Sequence, residues 1–117
     1  MQDRFKFRLY DDIHREMIDL QEQDVNPYNI SDIPQNNIMQ CTGLKDKNGK
    51  LIYEDDIVDT RQGRMVVKFD EYRAMFCMID PAQNHTETPL YNADYANRLE
   101  VIGNIYENTE LLEVHHV

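Results

Sequence analysis

The stretch from Gln40 to Val58, QCTGLKDKNGKLIYEDDIV, constrains this chain more than any other. Ile38 to Thr42 forms a strand candidate that Gly43 breaks. Asp46-Lys47-Asn48-Gly49 then supplies a tight turn, because Asn and Gly both tolerate the positive φ that such turns demand. Leu51 to Tyr53 follows as a strand, and Asp55 to Thr60 as another, entered through an acidic step. A chain that reverses this sharply between short apolar runs is committed to antiparallel β structure.

The remaining text agrees. Phe5, Phe7 and Leu9 alternate with Lys6, Arg8 and Tyr10, a period-two strand with one apolar face. Asp11 to Leu20 is ambiguous: Ile13, Met17 and Leu20 suit one face of a short helix, while a turn followed by a strand from Glu16 to Leu20 fits as well. Gln21 to Asn37, polar and holding Pro27 and Pro34, reads as a long loop with room for a brief helical turn. Gln62-Gly63 marks a turn, Met65 to Phe69 and Met75 to Ile79 are strands, and Asp70 to Arg73 joins them as a hairpin. Pro81 to Asn97 reads as a second polar loop, and Leu99 to Tyr106 as the last strand, with Gly103 at a bulge or close approach. Four or five short strands after Asp55 are the signature of a small barrel. The expected division is an N-terminal β-hairpin lobe with its polar loop over 1–42 and a barrel with a C-terminal tail over 43–117, or one compact unit holding both.

Charge narrows the function classes. Among 117 residues, 22 are acidic and 12 basic, a net charge of −10, which repels phosphate backbones and disfavours nucleic acid as a partner. Arg61, Arg64, Lys68 and Arg73 are the local exception. Cys41 and Cys77 fit no paired spacing and sit in strand-like apolar context, so buried, reduced thiols and a cytosolic setting are expected. No N-terminal apolar run reads as a signal peptide, and no stretch is long enough to span a membrane.

Several residues imitate chemistry. Asp46, Asn48, Gly49, Leu51 and Asp55 resemble part of a calcium loop, but Leu44 stands at the first ligand position and turn chemistry explains the same residues. Glu54, Asp55, Asp56 and Asp59 form the densest acidic cluster, with alternation placing Glu54 and Asp56 on one side and Asp55 on the other. Paired carboxylates can hold a cation or exchange protons, yet no second motif supports either role, and a solvated acidic edge that discourages strand pairing is the expectation. His14, His85, His115 and His116 have no zinc spacing. Of the seven tyrosines, Tyr53 and Tyr106 are expected at the barrel rim with wet hydroxyls, while Tyr91 and Tyr95, at helical spacing in a polar loop, are candidates for contact with a partner.

Met39 to Val58, together with Val101 to Leu112 (VIGNIYENTELL) and the opening Phe5-Lys6-Phe7-Arg8, closely resembles the YopX family of phage and prophage proteins. The resemblance implies a mainly β, YopX-like fold with an N-terminal strand or hairpin lobe and a C-terminal SH3-like small barrel. It favours the hairpin for Asp11 to Leu20, and it implies a phage or prophage origin in a bacterium. It brings no catalytic residue, no metal and no cofactor. One departure stands out: the family usually has Gly within Tyr-Glu-Gly-Asp-Ile-Val, where this chain has Asp55, so a positive φ is expected at that residue and a slightly strained turn with it. The expected role is a non-enzymatic accessory protein in the bacterial cytoplasm, acting through protein contacts and as an oligomer. The alternatives are an acidic mimic of DNA that occupies a host nucleic-acid-binding protein, nucleic-acid binding through the barrel, and a metal-dependent enzyme resting on the acidic cluster.

Overall fold

The computed structural model describes residues 6–20, 38–81, 83–90 and 92–112, of which 83–87 are described by their backbone. The loop read from Gln21 to Asn37, Tyr91 and the two terminal histidines lie outside them. Two antiparallel sheets make up the fold. The first has the order β2-β1-β3-β4, from β1 (Phe7–Asp11), β2 (Glu16–Asp19), β3 (Ile38–Lys45) and β4 (Leu51–Tyr53). The second has the order β8-β7-β6-β5-β9, from β5 (Asp56–Thr60), β6 (Gly63–Asp70), β7 (Met75–Asp80), β8 (Gln83–Pro89) and β9 (Glu100–Asn104). A four-strand meander whose fifth strand returns beside the first, after the single-turn helix α1 (Ala93–Ala96), is the connectivity of an SH3-like half-barrel.

Local chemistry sets the reversals. Asp11 Oδ1 accepts hydrogen bonds from the Ile13 and His14 amides, and Arg15 at φ 56° closes the β1–β2 hairpin. Residues 11–20 therefore form the hairpin and not the helix. The Asp46–Gly49 turn has Gly49 at φ 80°. Asp70 Oδ1 accepts from the Tyr72 and Arg73 amides at the β6–β7 turn, where Ala74 also has positive φ.

Three expectations are corrected. Gly43 does not end its strand. At φ 84° it forms a bulge, with the register shifting between Cys41 and Lys45, so β3 continues to Lys45 across the 42/43 division read from the sequence. The polar segment after Pro81 is not a loop throughout, because Gln83–Pro89 pairs with β7 as an edge strand. In β1 there is no single apolar face: Phe7 is 36% exposed, whereas Arg8, Leu9 and Tyr10 are all buried.

The main core lies inside the half-barrel. Val58, Met65, Val67, Met78, Leu90, Leu99 and Val101 pack with Ala96 of α1 and with Ile52 of β4, so the end of the first sheet plugs into the second. Cys41 and Cys77 are buried, as their apolar context implied, and form no disulfide. Gly103 is a close approach: a Cβ there would lie 2.5 Å from Asn108 Oδ1, which accepts from the Asn104 amide. No helix among the described residues is long and apolar enough to cross a membrane.

Candidate functional site

Two regions collect the charged and aromatic residues singled out by the sequence. The first is the step between the sheets, Tyr53 to Asp56. Asp55 turns the chain at φ 67°, the left-handed conformation that Gly would take at no steric cost. Its amide donates to the Val67 carbonyl, and its carbonyl accepts from the Ile105 amide. Its carboxylate takes Lys68 Nζ at 2.7 Å and the Tyr106 hydroxyl at 3.3 Å. Asp56 is 1% exposed. Its Oδ1 lies 2.6 Å from the Arg8 guanidinium, and its Oδ2 accepts from the Tyr53 amide at 2.8 Å. Glu54 accepts from the Gln40 amide at 2.8 Å.

Arg8 ties the step to the first sheet. Beyond Asp56, it donates to the Glu54 carbonyl and to Met39 Sδ, and its guanidinium sits 4.6 Å from the centre of the Tyr53 ring. Tyr10 stacks on Tyr106 with ring centres 4.9 Å apart. Burial pushes the Glu54 and Asp56 carboxyls above their ordinary range, with Arg8 and the Tyr53 amide pulling Asp56 partly back. Burial raises the hydroxyls of both Tyr53 and Tyr106 to about 12, with Cys41 adding to it at Tyr53 and Asp55 at Tyr106.

The acidic cluster is thus no solvated edge. Three of its members, Glu54, Asp55 and Asp56, turn inward to amide, ammonium, hydroxyl or guanidinium donors, and Asp59 alone is exposed. The Tyr106 hydroxyl, expected at the rim, donates to Asp55. Asp46 is spent in the same manner. It is 2% exposed, its Oδ1 accepts from the Asn48 and Lys50 amides, and its Oδ2 accepts from the Val101 amide in β9. Burial opposes the Asp46 anion, but these three amides outweigh it and hold the carboxyl below its usual value. The calcium-like spelling is turn chemistry that also pins β9. At the β1–β2 turn His14 pairs with Asp11 at 2.7 Å. Among the described residues, no group of three His, Cys, Asp or Glu gathers at metal-binding distance.

The second region is a pocket of about 470 Å³ lined by Thr60, Arg61, Gln62, Tyr95, Arg98 and Leu99. The β5–β6 turn supplies one wall and the segment from α1 into β9 the other. Asn92 caps α1 by accepting from the Tyr95 amide at 2.9 Å, which fixes the Tyr95 backbone. Leu99, 3% exposed, forms the floor, and its carbonyl accepts from the Lys47 amide. Tyr95 is half-buried and packs against the core. Arg61 and Arg98 are exposed at the rim, and among the described residues neither has an ion-pair partner. Of the expected Tyr91 and Tyr95 contact, only Tyr95 can be placed; beside it stand Arg61, noted in the sequence only as part of a local basic group, and Arg98, which sequence reasoning missed. The other basic residues of that stretch are engaged elsewhere: Lys68 with Asp55, Arg73 with Asp70, and Arg64 with the Leu111 carbonyl.

No curated protein matches the chain in sequence. Among solved structures, protein EF1440 from Enterococcus faecalis is similar, with 26% identity and a TM-score of 0.61 over 92% of this chain and 97% of that one. The model of the YopX protein family matches residues 10–113, which takes in the second sheet, the Tyr53–Asp56 step and the Tyr95 pocket, and the first sheet from Tyr10 onward. Its reach over nearly the whole length, with the half-barrel and the Asp55 step both inside it, decides the question of ancestry: this chain belongs to the YopX family.

Proposed function

We propose that this protein is a non-enzymatic phage or prophage accessory protein that acts in the bacterial cytoplasm through contacts with another protein. One observation carries the reading. The residues that imitate catalytic or metal chemistry are consumed by internal partners, while the Tyr95 pocket keeps two arginines without partners among the described residues. Two guanidinium groups beside an aromatic ring and an apolar floor suit recognition of a partner, which supports the binding reading. Fold analogy points the same way, since SH3 domains dock extended segments on aromatic-lined grooves.

The alternative of DNA mimicry needs carboxylates ranked on one outer face. It is motivated by the net charge of −10, but the densest acidic cluster turns inward at Glu54, Asp55 and Asp56 and supplies no such row. Direct nucleic-acid binding is opposed by the net charge and by the internal engagement of Arg64, Lys68 and Arg73.

The test is affinity capture from host lysate with the intact protein, beside Tyr95→Ala and Arg98→Glu variants that retain the native melting midpoint. A partner held by the parent chain and lost from both variants is expected. No partner from any lysate, together with measurable turnover of a substrate, would discard the proposal.

A further inference from the structure

The pocket also indicates what kind of surface it takes. Its lining holds two guanidinium groups, one phenol ring, an apolar floor at Leu99 and two small polar side chains, and no carboxylate. This occurs on a chain with 22 acidic residues and a net charge of −10. The more deeply placed cations are neutralised locally, Arg8 by Asp56 and Lys68 by Asp55. The exposed Arg61 and Arg98, just beyond the ends of β5 and α1, have no ion-pair partner among the described residues, although those elements carry Asp59 and Asp94. We infer that Arg61 and Arg98 form a two-sided clamp for a carboxylate side chain of a short acidic peptide segment, whose apolar neighbour rests on Tyr95 and Leu99. This inference rests on the reading of the pocket as the partner-contact site and adds the chemistry of the partner.

The components fit that occupant. A guanidinium presents a planar fork of donors that matches a carboxylate, and charge-assisted bonds of this type are roughly twice as strong as neutral ones. The half-buried Tyr95 ring contributes apolar area from a backbone held by the Asn92 cap, so little side-chain entropy is lost on binding. A volume of about 470 Å³ holds a side chain and its neighbour. A polyphosphate chain would carry many charges past a strongly negative body, whereas a peptide needs to bring only one or two carboxylates to the clamp.

The experiment is fluorescence anisotropy with a short fluorescein-labelled peptide of alternating glutamate and leucine. A glutamine–leucine peptide of the same length is the neutral control. Unlabelled oligothymidylate and free glutarate serve as competitors. The glutamate peptide is expected to bind better than the glutamine peptide. Arg61→Gln combined with Arg98→Gln should weaken it by about tenfold or more, the equivalent of one charge-assisted hydrogen bond. Tyr95→Ala should weaken both peptides alike. Both arginines are exposed, so an unchanged melting midpoint is expected for the double variant.

Equal binding of the two peptides, or no binding of either, would overturn the acidic-peptide assignment. Displacement by oligothymidylate with the same arginine dependence would replace it with a nucleic acid, and displacement by glutarate at equal concentration with a small dicarboxylate. The two levels of inference fail separately. A lysate partner that is lost from Tyr95→Ala but retained by the double arginine variant leaves the protein-contact reading standing and removes the clamp.

Discussion

The step at Glu54–Asp56 and the pocket around Tyr95 are built from similar materials and put them to opposite use. At the step, anions and cations meet inside the protein: Asp56 with Arg8, Asp55 with Lys68 and Tyr106, Glu54 with the Gln40 amide. At the pocket, two cations stand at a rim with no anion between them. Charge density along a chain therefore says little about where charge is offered to a partner. Whether each charge already has an internal partner decides it, and that is a property of the fold.

If the step is an internal lock, its removal should damage the fold more than any change at the pocket. Asp56→Ala leaves the Arg8 guanidinium buried without its counter-ion and the Tyr53 amide without an acceptor, so a loss of about 3–5 kcal/mol is expected in denaturant titration. Replacing the pair together, with Arg8→Met and Asp56→Leu, should recover much of that loss. A single-variant loss within the range of surface substitutions would show that the step does not hold the sheets together.

Asp46→Ala comes next. It strips acceptors from three amides, one of them in β9, and should lower stability by about 2–3 kcal/mol, with faster hydrogen exchange at the Val101 amide. Its stabilising part follows the anion. Because the folded carboxyl is held below its unfolded value, the contribution is present above about pH 4 and fades as pH falls through the folded value.

Glu54→Gln should act in the opposite sense. Burial raises the folded carboxyl above its ordinary 4.5, so the native state favours the protonated form, and ionisation at higher pH works against folding. The variant should match or slightly exceed the parent in melting midpoint at neutral pH and lose that advantage as pH falls through the ordinary carboxyl range. A variant less stable than the parent at neutral pH would mean that the bond to the Gln40 amide outweighs the burial of the charge.

The smallest expected effect on stability belongs to the pocket. Arg61→Gln and Arg98→Gln should each stay within about 0.5 kcal/mol of the parent, as exposed residues without an internal ion pair do. A larger loss from either would erase the contrast between the two regions.

Much of the frame was legible because it depends on residues close in sequence. The Asn48-Gly49 turn, the Asp70 to Arg73 connection and the hairpin of residues 11–20 all follow from local turn chemistry or from the family's opening motif. Asp55 is the clearest case: a family glycine replaced by aspartate implied a positive φ, and the residue has φ 67°. What escaped depends on distant partners. Arg8 sits at an alternating position that reads as solvent-facing, and its counter-ion Asp56 lies 48 positions away. For Gln83–Pro89, no apolar face announces a strand, and the pairing with β7 makes it one. Arg61 and Arg98 looked ordinary until the β5–β6 turn and α1 came together across one pocket.

The stack of Tyr10 on Tyr106 also bears on how the molecule is made. It joins the first described strand to the segment beyond the last one, and Arg8 with Asp56 spans half that separation. A ribosome releases the chain from its beginning, so the β1–β2 hairpin emerges well before the surface that will cover its Tyr10. Until Tyr106 has followed, Tyr10, buried in the finished protein, lacks its stacking partner. Closure of so long a loop comes before its stabilising contacts, which places this fold among slow, non-local folders. Its most vulnerable interval lasts until Tyr106 has emerged.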